Sequence, residues 1–215
     1  MTVTFAVRDI GRLVRNPDAG LLCEQPRRGK PYSYYPRNWL YQAAAALFES
    51  GGDSGASRAR LESLVAAGKG PTPKKLRTAA DIESLLPKLT FLSQQHPARY
   101  VSTLYKHVPD LVIWKGHRLK LPLGLLFEDD KHGFVMRVLW VEKYLRPGVR
   151  GIDLTAGALA VSIPAEVGLA CAVEPWFLRD SDRRFYLAKD LRLMRQQLDR
   201  LLIDAERRRE VSPAA

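Results

Sequence analysis

The spacing of apolar and polar positions changes character midway along the chain. In the first half it is helical. After a short alternating stretch at Thr2 to Val7 and a loop rich in Arg, Pro and Gly, Asn38 reads as an N-cap opening a helix through WLYQAAAALFES that stops at Gly51-Gly52. SRARLESLVAAG predicts a second helix ending at Gly68, and GKGPTPKKLR reads as a basic linker. A third helix is expected over Ala79 to Gln95, with Pro87 breaking or kinking it.

In the second half short apolar runs alternate with turns. Leu111 to Trp114, Leu119 to Phe127 and Phe134 to Val141 read as strands, with Gly116 supplying one turn and EDDKHG another. Pro122 argues for an edge position or a bulge in the second of these. A helix starting at Asp153 or Thr155 must end by Pro164, a strand follows over Ala170 to Leu178, and DSDR turns into Arg184 to Leu187. Leu187, Leu191, Met194, Leu198 and Leu201 recur at helical spacing and give the terminal helix one apolar face, with Arg207, Arg208 and Arg209 at its C-terminal end. The pattern predicts an α/β (α+β) protein. Residues 1–100 form a helical half with basic loops, packed on a small mixed sheet flanked by helices within 101–215.

Composition adds a partner class. Of the 215 residues 46% are hydrophobic, enough for a real core, yet the formal net charge is +11. Such a basic chain points to a polyanion, most often nucleic acid, against the plainer alternative of charge that maintains solubility. The excess of Arg over Lys suits phosphate and also fits a GC-rich bacterial genome. Cys23 and Cys171 stand alone, without metal-ligand spacing or a disulfide framework. The N-terminus does not read as a signal peptide and no apolar run is long enough to span a bilayer, so a cytoplasmic protein without a membrane partner is expected. Phosphate-cradling loops, dinucleotide fingerprints and nucleophile elbows are missing, which removes most support for nucleotide-driven motors, dehydrogenases and serine hydrolases.

The element order hairpin, third strand, loop, helix, strand, hairpin, terminal helix, over residues 108–205, resembles the nuclease core of the PD-(D/E)XK superfamily, nearest its RecB-like members. The resemblance implies a restriction-endonuclease-like fold. It also implies a strand acid and then an acid-x-Lys on the next strand, holding a divalent metal and activating water. Two registers fit. In the first, Gly124 takes the place of the first acid and Arg137, Val138, Leu139 and Trp140 that of the second motif. No carboxylate remains, which describes a nuclease without its chemistry. In the second, Pro109-Asp110 is the first element and Asp129-Asp130-Lys131 the acid-x-Lys. Asp110, Asp129 and Lys131 would then be catalytic, with Asp110 and Asp129 as Mg²⁺ ligands. EDDKHG is equally a hairpin loop that needs no metal.

Two further sets of residues bear on binding. Arg27, Arg28, Lys30 and Arg37 interleave with Tyr32, Tyr34, Tyr35 and Trp39, the mixture of cations and stacking rings that suits single-stranded nucleic acid; the alternative is a loop whose rings plug it onto the helices. Lys74, Lys75 and Arg77 form a second basic run that could add phosphate contacts. Arg137 lies on a half-apolar strand face and faces either a phosphate or a core carboxylate, Glu142 or Glu174. The leading expectation is a nucleic-acid-binding, nuclease-like subunit of a larger DNA- or RNA-processing or defence complex. The alternatives are a working Mg²⁺-dependent nuclease and a protein–protein adaptor that assembles with other subunits.

Overall fold

The computed structural model describes residues 35–68, 70–103, 124–141 and 172–187, the strand backbones at 4–6, 111–114 and 117–120, and helical positions between 190 and 207. The elements in order are β1 (Thr4–Ala6), α1 (Tyr35–Glu49), α2 (Ser54–Ala66), α3 (Pro73–Glu83), α4 (Leu86–Gln95), β2 (Arg99–Thr103), β3 (Leu111–Trp114), β4 (His117–Lys120), β5 (Leu125–Asp129), β6 (Gly133–Trp140), β7 (Ala172–Phe177) and β8 (Asp182–Arg183). This is an α+β protein with a mixed sheet. None of the described helices is long and apolar enough to cross a membrane.

The helices start and stop where local chemistry dictates. α1 begins at Tyr35, so Asn38 lies inside it and not at its cap; its Oδ1 accepts from Gln42 Nε2 at 3.1 Å on the exposed face. The helix ends as expected at Gly51, whose φ of +72° costs glycine nothing, and the Gly52 N–H reaches back to the Leu47 carbonyl at 2.8 Å. Asp53 caps α2 by accepting from the Gly55 N–H at 2.8 Å, and buried Ser57 Oγ donates to the Ala43 carbonyl at 2.7 Å, fixing α2 on α1.

The basic run read as a linker is helical. Thr72 caps α3, Pro73 occupies its first turn, and Lys74, Lys75 and Arg77 follow on that helix. The expected single helix from Ala79 to Gln95 is therefore two. They part at Ser84-Leu85, and Pro87 sits in the first turn of α4, where its missing N–H leaves no bond unmade.

Five strands form the main sheet in the order β2-β5-β6-β7-β8. β2, β5 and β6 make an antiparallel meander, β7 runs parallel to β6, and β8 returns antiparallel to β7. A second, three-stranded sheet has the order β1-β4-β3. The expected strand Leu119 to Phe127 thus divides between two sheets, β4 in one and β5 in the other, and the sequence reading missed β2 altogether. Pro122 and Gly116 lie outside the described residues.

One core joins the helices to the sheet. Trp39, Leu40, Leu47, Leu61, Leu89 and Leu92 pack with Leu125, Phe127, Leu139 and Trp176. Phe48 meets the Phe127 ring edge-on at 5.0 Å, and Tyr100 meets it at 5.5 Å. The Leu139 N–H donates to the buried Tyr41 hydroxyl at 2.8 Å, tying α1 to the middle strand. The opposite face of β6 and β7 is also buried at Met136, Val138, Val173 and Phe177. Central parallel strands require cover on both faces, which is why their sequences read as continuous apolar runs. At the described helical positions between 190 and 207, Leu193, Gln196, Arg200, Ile203, Asp204 and Arg207 are exposed; Leu191, Met194, Leu198 and Leu201 of the expected apolar face lie outside the described residues.

Candidate functional site: a buried arginine–glutamate centre

β6 and β7 pair in a register that places Arg137 opposite Glu174. Both belong to the face that packs on the helices, and both are withdrawn from water, at 2% and 1% exposure. Arg137 Nε donates to Glu174 Oε2 at 2.7 Å and its Nη2 to the His96 carbonyl at 2.7 Å, at the C-terminal end of α4. Its guanidinium lies over the Phe127 ring at 4.1 Å and the Trp176 ring at 4.5 Å. Arg183 Nη1, from β8, donates to the second carboxylate oxygen at 2.6 Å. Glu174 thus holds two guanidiniums, one deep and one partly exposed.

The electrostatics follow from this crowding. Burial pushes the Arg137 pKa down, opposed chiefly by Glu174. The His96 imidazole is pushed below its ordinary value by burial and then by Arg183; Glu174 opposes this and Arg137 adds to it. Both Glu174 oxygens accept from guanidiniums, so the carboxylate anchors the two arginines. Arg137 Nη1, although buried, has no hydrogen-bond partner among the described residues. Of the two carboxylates offered as core partners for Arg137, Glu174 is the one it meets; Glu142 lies outside the described residues. That burial corrects the expectation of a phosphate contact. A guanidinium closed in by two rings, a carboxylate and a carbonyl does not reach a nucleic-acid backbone.

The hairpin residues do a different job. Asp129 ends β5, and its Oδ1 accepts from the backbone N–H groups of Lys131 and His132, each at 2.9 Å. The carboxylate organises a turn closed by Gly133 at φ +69°. Asp130 and Lys131 are exposed, and the His132 ring lies against Phe185 at 4.6 Å between centroids, tilted by 47°. Asp110 lies outside the described residues. Among the described residues no group of three or more His, Cys, Asp or Glu side chains could hold a metal ion. The places given to the acids in the other register are occupied by Gly124, buried just before β5, and by buried Arg137, Val138, Leu139 and Trp140 on β6.

The basic candidates separate. Lys75 Nζ donates to the carbonyls of Val65, Ala67 and Gly70 at 3.1, 2.5 and 2.9 Å, closing the C-terminal end of α2. Its charge is used inside the fold, which corrects its assignment as a nucleic-acid contact. Lys74 and Arg77 are exposed on α3. Tyr35 and Arg37 lie in the first turn of α1, and Arg27, Arg28, Lys30 and Tyr34 fall outside the described residues. Trp39 is 3% exposed and belongs to the core, so it is a plug and not a base-stacking platform.

Several other cations are also engaged. Arg58 pairs with Glu83 at 2.7 Å, Arg99 with Glu128, and Lys88 donates to the Arg179 carbonyl. The sequence reading missed His96 and Arg183. His96 carried no signal. Arg183 carried one, an arginine just past the turn DSD that folds back on an acid-bearing strand.

No family model matches the chain, and no curated protein matches it.

Proposed function

We propose that this chain is a nucleic-acid-binding protein with a restriction-endonuclease-like core that does not itself cleave, acting as a subunit of a larger DNA- or RNA-processing complex. The observation that carries the reading is the strand plan: an antiparallel meander, a parallel strand reached by a long connection, and an antiparallel return. The resemblance over residues 108–205 opens with the hairpin of residues 111–120, which belongs to the other sheet; the reading takes β2 as the first strand in its place. The non-cleaving part is supported by what occupies β6. Where the resemblance calls for an acid-x-Lys, the strand carries Arg137 followed by apolar residues, and that arginine is committed to Glu174. Partner class is supported by the +11 charge, by exposed Lys74 and Arg77, and by basic residues outside the described set.

Binding to labelled single- and double-stranded oligonucleotides across a salt series tests the reading. Retention at low salt, falling with a log–log slope of magnitude about 4 or more, is the expected result. Absence of retention at low salt overturns it. Cleavage that depends on Mg²⁺ or Mn²⁺ and disappears in Asp110→Ala overturns the non-cleaving part and restores the metal register. Stable co-purification with one protein after nuclease treatment, without oligonucleotide binding, replaces the reading with the adaptor.

A further inference from the structure

Two guanidiniums share one carboxylate at the α4 end of the β7–β8 hairpin. Both Glu174 oxygens are taken, one by Arg137 and one by Arg183. That leaves one positive charge in excess, in a place where an uncompensated charge is costly. Arg137 Nη1 has no acceptor among the described residues. The neighbouring groups do not cancel the excess. The Asp129 carboxylate on β5 acts on Arg137 from a distance while its Oδ1 is bound in the hairpin turn. The His96 carbonyl is a dipole end that already accepts from Arg137 Nη2.

The surplus reaches solvent at Arg183. Its side chain is 32% exposed, with Nη1 on Glu174 and the guanidinium over the Phe185 ring at 5.9 Å. His96, half-buried at the end of α4, joins the same cluster: its carbonyl accepts from Arg137, which shares Glu174 with Arg183, and the Arg183 charge acts on its imidazole. Lys88 of α4 donates to the Arg179 carbonyl in the β7–β8 turn, which holds that helix against the hairpin and keeps the two groups together.

We infer that Arg183 and His96, backed by the buried charge of Arg137, form a binding site for one phosphate group at this corner of the sheet. The outer edge of a guanidinium offers parallel donors that match two oxygens of a phosphate, and an imidazole supplies a third donor once protonated. A phosphate anion completes the charge balance that Glu174 meets by half. The groups facing the site are Arg137 on β6, Glu174 on β7, Arg183 on β8 and Asp129 on β5; protonation of His96 adds a cation to a positive set, so phosphate binding and His96 protonation reinforce one another. The phosphate belongs either to a nucleic-acid backbone, which rests on the function proposed above, or to a free phosphorylated ligand.

Inorganic phosphate is titrated into the full chain at constant ionic strength and followed by thermal unfolding and by the His96 proton resonances. The inference expects a saturable rise in Tm, a His96 titration midpoint moved upward by phosphate, and affinity weakened roughly tenfold or more in Arg183→Gln but not in Arg58→Gln, which removes the same charge elsewhere. The resonance shift needs no variant, so it tests the site even where Arg183→Gln fails to fold. An unmoved His96 midpoint together with no saturable Tm change overturns the inference, as does an equal response in the two variants. In the second arm, weaker oligonucleotide binding by Arg183→Gln assigns the site to a nucleic-acid backbone. Undiminished oligonucleotide binding beside a lost phosphate response assigns it to a free ligand. Oligonucleotide retention without any phosphate response refutes this site while leaving the proposed function standing.

Discussion

Truncating Glu174 to alanine is the sharpest test of the buried centre. The side chain is 1% exposed and its two oxygens accept from guanidiniums at 2.7 and 2.6 Å. Without it Arg137 keeps only the His96 carbonyl and two ring faces, as a buried cation with no anion. Breaking a buried pair from one side costs about 3–5 kcal/mol. Against a domain stability of about 5–15 kcal/mol that is a large share. With a urea m-value of about 2–3 kcal/mol/M, it lowers the unfolding midpoint by about 1.5 M. The paired variant Arg137→Met with Glu174→Leu fills the same space with apolar groups and lets half-exposed Arg183 turn to water. It recovers at least about 2 kcal/mol of the summed single losses, because the desolvation of both charges is relieved together. Urea unfolding of the parent, Arg137→Met, Glu174→Leu and the double variant at matched m-values gives the coupling directly. Additive losses, or single variants within 0.5 kcal/mol of the parent on the scale typical of surface changes, refute the idea that the pair is energetically one unit.

Other consequences are simpler to check. The unfolded chain takes up a proton at His96 near the ordinary value of 6.5 while the folded chain resists it. The stability this residue contributes is therefore complete above pH 6.5 and declines as pH falls through the lowered folded value; His96→Gln flattens that part of a stability–pH curve. Tyr41→Phe strips the acceptor from a buried Leu139 N–H and lowers stability by about 1–3 kcal/mol, read as a shift in urea midpoint. Lys75→Met leaves three carbonyls at the end of α2 without their cation and costs about 1 kcal/mol by the same measurement. Asp129→Asn keeps the turn and Asp129→Ala loses it, so only the alanine variant is destabilised, by about 1 kcal/mol.

How far the sequence reveals this molecule depends on how local each determinant is. The hairpin of β5 and β6 was legible because two apolar runs flank a short polar turn. β7 was legible as an apolar run, and Glu174 inside it was one of the two carboxylates offered to Arg137. The start of α3 was misread although its signals were present: threonine then proline, at the cap and the first turn, describes a helix entrance as well as a linker. β2 escaped because RYVST is short and lies at the edge, with Arg99 and Val101 exposed and a bulge between Tyr100 and Ser102. The division of Leu119 to Phe127 between two sheets was out of reach, since periodicity reports which face a residue takes and not which strand it joins. Arg183 reaches Glu174 only through a tight return in which Ser181 adopts φ +51°, a conformation no pattern of hydrophobicity announces.

The parallel pairing of β6 with β7 also sets an order of assembly. β5 and β6 are neighbours in sequence and close through a short loop, whereas Trp140 and Ala172 are separated by a long stretch of chain. Loop closure makes the β5–β6 hairpin the expected earlier contact, with Arg137 solvated until β7 docks; that docking then desolvates the cation and supplies its counter-ion in one movement.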